Sequence, residues 1–235
     1  MRKTPAQRHL EAKQAAIASA STTAGGELQG SAYQLMLAQL AEHRRALKDI
    51  QSVERKIEAK RGFLPVYDDW VNGALAHGQG GQDLVLTTVL IWHIDAGNYR
   101  RALEIAHYAV AHSLTLPDQY ERNLGTALID EFGVAALGGK MTREDALELL
   151  PQVLHGTQHL DAPDQARAKL HKALGYALIN KSGSSDVDFD KLELHQAENA
   201  LHHLQRALDL FDQVGVKKDI ERLDRQLKKL RTQTP

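Results

Sequence analysis

Four aspartates and a histidine are the first residues that suggest chemistry: Asp68, Asp69, Asp83, Asp95 and His93. If the helices carrying them pack together, Asp68-Asp69-Trp70 could meet Asp83 and Asp95 around a divalent cation. A Mg²⁺-dependent nuclease needs two or three carboxylates in such an arrangement. The residues also have a plainer use. An aspartate pair in the first turn of a helix complements the positive end of the helix dipole. Under the first reading Mg²⁺ is the cofactor. Under the second there is no cofactor and no catalytic residue, and this is the reading the sequence favours.

Twelve histidines invite a zinc reading, but their spacing is poor. His155 and His159 stand four apart with Gly156-Thr157 between them and no following Glu. His202 and His203 point in different directions on a helix, and His107 and His112 are five apart. A helical zinc site needs two ligands on one face and an acid, so no metal centre is assigned. Gly138-Gly139-Lys140-Met141 lacks the Ser/Thr of a phosphate loop and follows a helical stretch, so it reads as a helix break. No Ser/His/Asp or Cys/His arrangement appears.

A second constellation is basic. Arg44, Arg45, Lys48, Arg55, Lys56, Lys60 and Arg61 lie beside Glu42, Asp49, Glu54 and Glu58. Nucleic-acid affinity comes mainly from Lys and Arg on phosphates. Alone, the patch reads better as a solvated coiled-coil face with compensating acids than as a binding site. The charge distribution gives it weight. Residues 1–61 hold eleven Lys/Arg against six Asp/Glu, residues 62–216 hold eleven against twenty-one, and residues 217–235 hold seven against three. Two basic ends flank an acidic middle, a pattern that suits nucleic-acid contact or head-to-tail self-association.

The elements that must position these residues are helical. Residues 1–30 read as a mobile basic arm with Arg2, Lys3, Arg8 and Lys13, because Ser19 to Gly26 is small and polar. Ala32 to about Arg61 reads as one long helix. Its Tyr33, Met36, Leu40, Leu47, Ile50 and Ile57 follow a near-heptad spacing, as in a short coiled coil or hairpin arm. His43 and Glu54 interrupt that seam, and Gly62 and Pro65 end it. Short packed helices follow: Val66–His77, Gln82–Ile94, Tyr99–Leu114, Asp118–Leu137, Arg143–Leu154, Asp161–Asn180, Asp190–Val214 and Val216–Arg231, with a loop at Ser182–Asp188. No strand alternation is visible. Gly97-Asn98-Tyr99 leading to Ala102-Leu103, and Ala173-Leu174-Gly175-Tyr176, have a tetratricopeptide flavour without the steady period of an array. The expected fold class is all-α.

There is no cysteine, which fits a reducing cytoplasm. Arg8 to Lys13 is mostly polar, unlike a signal sequence. The apolar run Leu84–Ile94 is far too short to span a bilayer, so no membrane partner is expected.

Several runs resemble the peduovirus-type tailed-bacteriophage small terminase subunit. They are Thr4-Pro5-Ala6-Gln7-Arg8-His9, Tyr33-x-x-Met36-Leu-x-x-Leu40, Leu47-Lys48-x-Ile50-Gln51-Ser52 and Lys56-Ile57-x-x-Lys60-Arg61. Leu64-Pro65-x-Tyr67-x-x-Trp70-Val71 and Gly78-x-Gly80-x-Gln82-Asp83 extend the likeness. Trp92-x-Ile94-Asp95-Ala-Gly97-x-Tyr99-x-x-Ala102-Leu103 is its most specific run. The resemblance covers most of the chain and weakens after about residue 180.

It implies a protein of the host cytoplasm that binds double-stranded viral DNA at the packaging site. It also implies a ring-like homo-oligomer and recruitment or regulation of the large terminase subunit. Members of this type have also been labelled an endonuclease subunit. On this basis 1–30 is the arm, 31–62 the helix for DNA contact and oligomerisation, 63–181 the helical core, and 182–235 a C-terminal hairpin and tail suited to docking the large subunit. An enzyme built on the four aspartates and a tetratricopeptide-like peptide adaptor are the rival readings.

Overall fold

The computed structural model describes residues 4–23, 25–118, 120–181 and 187–233. Arg2 and Lys3 of the expected arm, and residues 182–186 of the expected loop, lie outside them. Among the described residues the regular structure is helical, with one isolated parallel bridge between Glu27 and Gln82. The chain divides into two compact units, Met1–Leu124 and Gly125–Pro235.

The first unit corrects the expected mobile arm. Helix α1 spans Pro5–Ser21 and opens on a capping box: Thr4 Oγ1 accepts from the Gln7 amide at 3.2 Å, and Gln7 Oε1 accepts from the Thr4 amide at 2.8 Å. Pro5 sits where a missing N–H costs nothing. Small residues of the helix itself form its packing surface. Ala15 is fully buried against α4 (Asp68–His77), and a Cβ built on Gly73 would stand 2.3 Å from Ala12 O and 2.8 Å from Ala15 Cβ. The following loop is pinned as well, with the Gln82 amide donating to Gly26 O at 2.8 Å and Leu28 buried. Gly73→Val therefore forces α1 away from α4. The expected cost is about 3 kcal/mol, the upper range for an overpacked contact. Limited proteolysis should then cut within residues 5–21, where the native protein resists.

The expected long helix is two. Helix α2 spans Ser31–Asp49 and α3 spans Val53–Phe63. Ile50 is extended, and Ser52 caps α3 by accepting from the Arg55 amide at 3.4 Å. The two fold back as an αα-hairpin. His43, which interrupts the heptad seam, is its clasp. Its ring stacks on Phe63 with centroids 3.9 Å apart, and its Nδ1 lies 2.7 Å from Tyr67 Oη. Tyr33, Leu40 and Leu47 are buried in their own unit rather than left for a partner helix.

Helix α5, Leu84–Ala96, is the axis of this unit. Every residue from Val85 to Ile94 is buried, and α2, α3 and α6 (Tyr99–Ala111) pack around it. Gly97 closes it in the left-handed region, φ 83°.

The second unit contains α7 (Leu124–Leu137), α8 (Arg143–Thr157), α9 (Asp164–Leu178), α10 (Leu194–Leu210) and α11 (Lys217–Gln233). The helix expected from Asp118 begins only at Leu124. Thr142 caps α8 by accepting from the Asp145 amide at 3.0 Å. Gly175 lets α9 and α10 approach closely, since a Cβ there would meet Leu204 Cδ2 at 2.5 Å. Ala197, Ala200, Leu204, Ala207, Leu223 and Leu227 form the core that α10 and α11 share. The single-face spacing of these residues is the sequence signal that places both helices.

Candidate nucleic-acid interface

The basic constellation lies on the α2–α3 hairpin, and the structure sorts its seven cations into two sets. Lys60 Nζ reaches Asp95 Oδ2 at 2.5 Å, and Arg61 Nε donates to Ala96 O at 3.0 Å. These two fasten α3 to the C-terminal end of α5. A cation there also suits the negative end of the α5 dipole. The other five, Arg44, Arg45, Lys48, Arg55 and Lys56, flank the turn at 50–52. Arg45, Lys48 and Arg55 are exposed, and Arg44 and Lys56 are half-buried. Among the described residues none of the five is engaged in an ion pair; Arg45 Nε only approaches Ala41 O at 3.5 Å. Asp49 and Glu54 share the tip and leave it with a net charge of +3 over residues 44–56. The arrangement can hold phosphates and offers no group for bond breaking.

The four aspartates do not converge. Asp83 is the N-cap of α5. Its Oδ1 accepts from the Val85 and Leu86 amides at 2.9 Å each, and its Oδ2 accepts from Trp70 Nε1 at 2.8 Å. Burial pushes its carboxyl above the usual range, and those three hydrogen bonds oppose the rise. Asp95 sits at the other end of α5 and is held by Lys60. Twelve residues separate the two, so their Cα atoms lie about 18 Å apart along the helix. Asp68 and Asp69 occupy the first turn of α4, the position that favours acids at a helix N-terminus. Among the described residues no three His, Asp or Glu side chains are placed to share a metal ion.

Three of the histidines instead serve packing. His93 is buried on α5, its Nδ1 lies 3.3 Å from Asn98 Nδ2, and its Nε2 has no hydrogen-bond partner among the described residues. His171 of α9 and His203 of α10 meet Nδ1 to Nδ1 at 3.0 Å, a pairing that a 32-residue separation does not advertise. Burial lowers all three to about 4. Unfolded histidine titrates near 6.5, so below that pH the unfolded chain takes up protons that the folded chain refuses. Stability is full above pH 6.5 and falls as pH drops toward 4. At pH 5, His93 alone should contribute a loss of up to about 2 kcal/mol. Urea melts at pH 7 and pH 5 check this, and His93→Gln should reduce the difference.

A second basic surface lies on α11. Lys217, Lys218, Arg225 and Lys228 are exposed, while Lys229 and Arg231 pair with Asp190 at 3.6 Å and Glu198 at 2.8 Å. No helix among the described residues is long and apolar enough to cross a membrane.

Comparison with known proteins identifies the family. The model of the phage small terminase subunit family matches residues 37–165, which includes most of α2 and all of α3 and α5. A terminase, endonuclease subunit, of Escherichia phage P2 is 41% identical over 225 residues, covering 95% of this chain and 85% of the relative. No solved structure matches. The chain belongs to the phage small terminase subunit family.

Proposed function

We propose that this protein binds duplex viral DNA at the packaging site through the tip of the α2–α3 hairpin, and that it does so as a homo-oligomeric ring in the host cytoplasm. It recruits or regulates the large terminase subunit there. The family acts in phage genome packaging, and ring assembly and the large-subunit partnership rest on that relationship. The DNA face rests on one observation: the five cations on the two helices flanking an exposed turn have no ion pairs among the described residues, while residues 62–216 hold ten more acids than bases and repel phosphate. A ring repeats the modest patch, so the contacts add in avidity. The test is binding of a duplex of about 30 base pairs, weakening steeply with salt in native protein and shallowly once the tip is neutralised. The endonuclease description of the phage P2 relative is not extended to this chain, because Asp83 and Asp95 stand at opposite ends of α5 and Asp83 is consumed in capping.

A further inference from the structure

We propose that the groove between α8, α9 and α10 is a docking site for an acidic, leucine-bearing peptide segment of another polypeptide. The groove is open and holds about 730 Å³. Its apolar walls come from all three helices. Leu147, Pro151 and Leu154 stand on α8, Leu178 on α9 and Leu210 on α10. These four leucines are only half-buried, so apolar surface remains to be covered. Covering it releases about 25 cal/mol per Å².

The polar lining sets the charge of the occupant. Arg167, Arg206 and His155 line the groove, and no carboxylate among the described residues does. That stands out where residues 62–216 carry twenty-one acids against eleven bases. Arg167 is already committed, because its guanidinium donates to Leu160 O and Thr157 O at the end of α8. Arg206 is exposed and has no ion-pair partner among the described residues. His171 and His203 join α9 to α10 at the base of the groove. One ring must donate its Nδ1–H to the other, which leaves the acceptor ring with an Nε2–H to offer a carboxylate. An amphipathic helix or extended segment fits this combination of leucine walls and cationic rim. A DNA duplex does not, because its phosphates gain nothing from leucine walls.

The experiment selects random 12-residue peptides displayed on phage against the full-length protein. Selected peptides are then measured by fluorescence anisotropy. The expected winners carry two or more large aliphatic residues and at least one Asp or Glu. Arg206→Glu, an exposed change that should leave melting intact, weakens them at least tenfold. Changing the peptide acid to Lys restores binding to Arg206→Glu. Leu154→Glu weakens the same peptides. A duplex of about 30 base pairs does not compete, and neutralising the hairpin tip leaves peptide binding unchanged. The proposal is overturned if no peptide is enriched, if winners show no acidic preference, or if Arg206→Glu binds normally. Displacement by duplex DNA overturns it in favour of a nucleic-acid groove.

Discussion

Asp83→Ala should lower the melting temperature of the first unit by roughly 6–16 °C. Three donors depend on that carboxylate, and all lie in the buried interior. Losing an N-cap costs about 1 kcal/mol. Leaving the Trp70 indole and a second amide buried and unpaired adds about 1–3 kcal/mol. The sum, about 2–4 kcal/mol, converts at about 3–4 °C per kcal/mol for a unit of this size. Asp83→Asn should cost less, since an amide oxygen still accepts from Val85 and Leu86, although its NH₂ faces the indole badly. Scanning calorimetry of the full chain checks both. The pattern also separates a cap from a metal ligand. Removing one carboxylate from a cluster relieves repulsion and leaves melting unchanged or higher. A stable Asp83→Ala that had lost DNA cleavage in the presence of the large subunit would therefore restore the nuclease reading. Asp68→Asn with Asp69→Asn should change stability by no more than about 2 kcal/mol, the worth of two acids at a helix N-terminus.

The all-α class was legible in the caps, breaks and helical spacing along the chain, and the burial of α5 in the apolar run from Leu84 to Ile94. The α8 cap was legible because Thr142 and Asp145 carry the right spacing. Two features were hidden by composition. Alanine and serine in α1 resemble linker, yet small residues are what two backbones need in order to touch, and the glycine receiving them lies some sixty residues away. The capping box at Thr4 and Gln7 was the available clue. The break at 50–52 was masked by a heptad that continues across it. Ser52 was the signal there, since a serine three residues before Arg55 is a cap as easily as a helix-interior residue. Lys60 and Arg61 show the general limit. Sequence reports that they are charged, but only the fold reports that α5 has already engaged them.

The changes Arg44, Lys48, Arg55 and Lys56 to Ala should together cut duplex binding by up to about a few thousandfold at 0.1 M salt. Each phosphate contact on B-form DNA releases about 0.9 counterion, worth nearly a factor of ten at that salt relative to 1 M. Without these four cations the slope of log K against log salt should flatten by up to about 3.6 per protomer. The four side chains are exposed or half-buried and have no ion pair among the described residues, so folding should survive. Lys60→Ala is the opposite control: it breaks the contact with Asp95, lowers melting, and leaves the slope nearly intact. The competing surface is α11, and deleting residues 217–235 cannot test it cleanly, because Leu223 and Leu227 are core residues and the second unit would come apart. Lys217, Lys218, Arg225 and Lys228 to Ala removes the same exposed charge while the buried face of α11 stays in place. If that quartet flattens the salt slope and the hairpin quartet leaves it unchanged, the DNA face belongs to the second unit. The α2–α3 hairpin is then a purely structural element, clasped by His43 and Phe63, whose surface cations serve solubility alone.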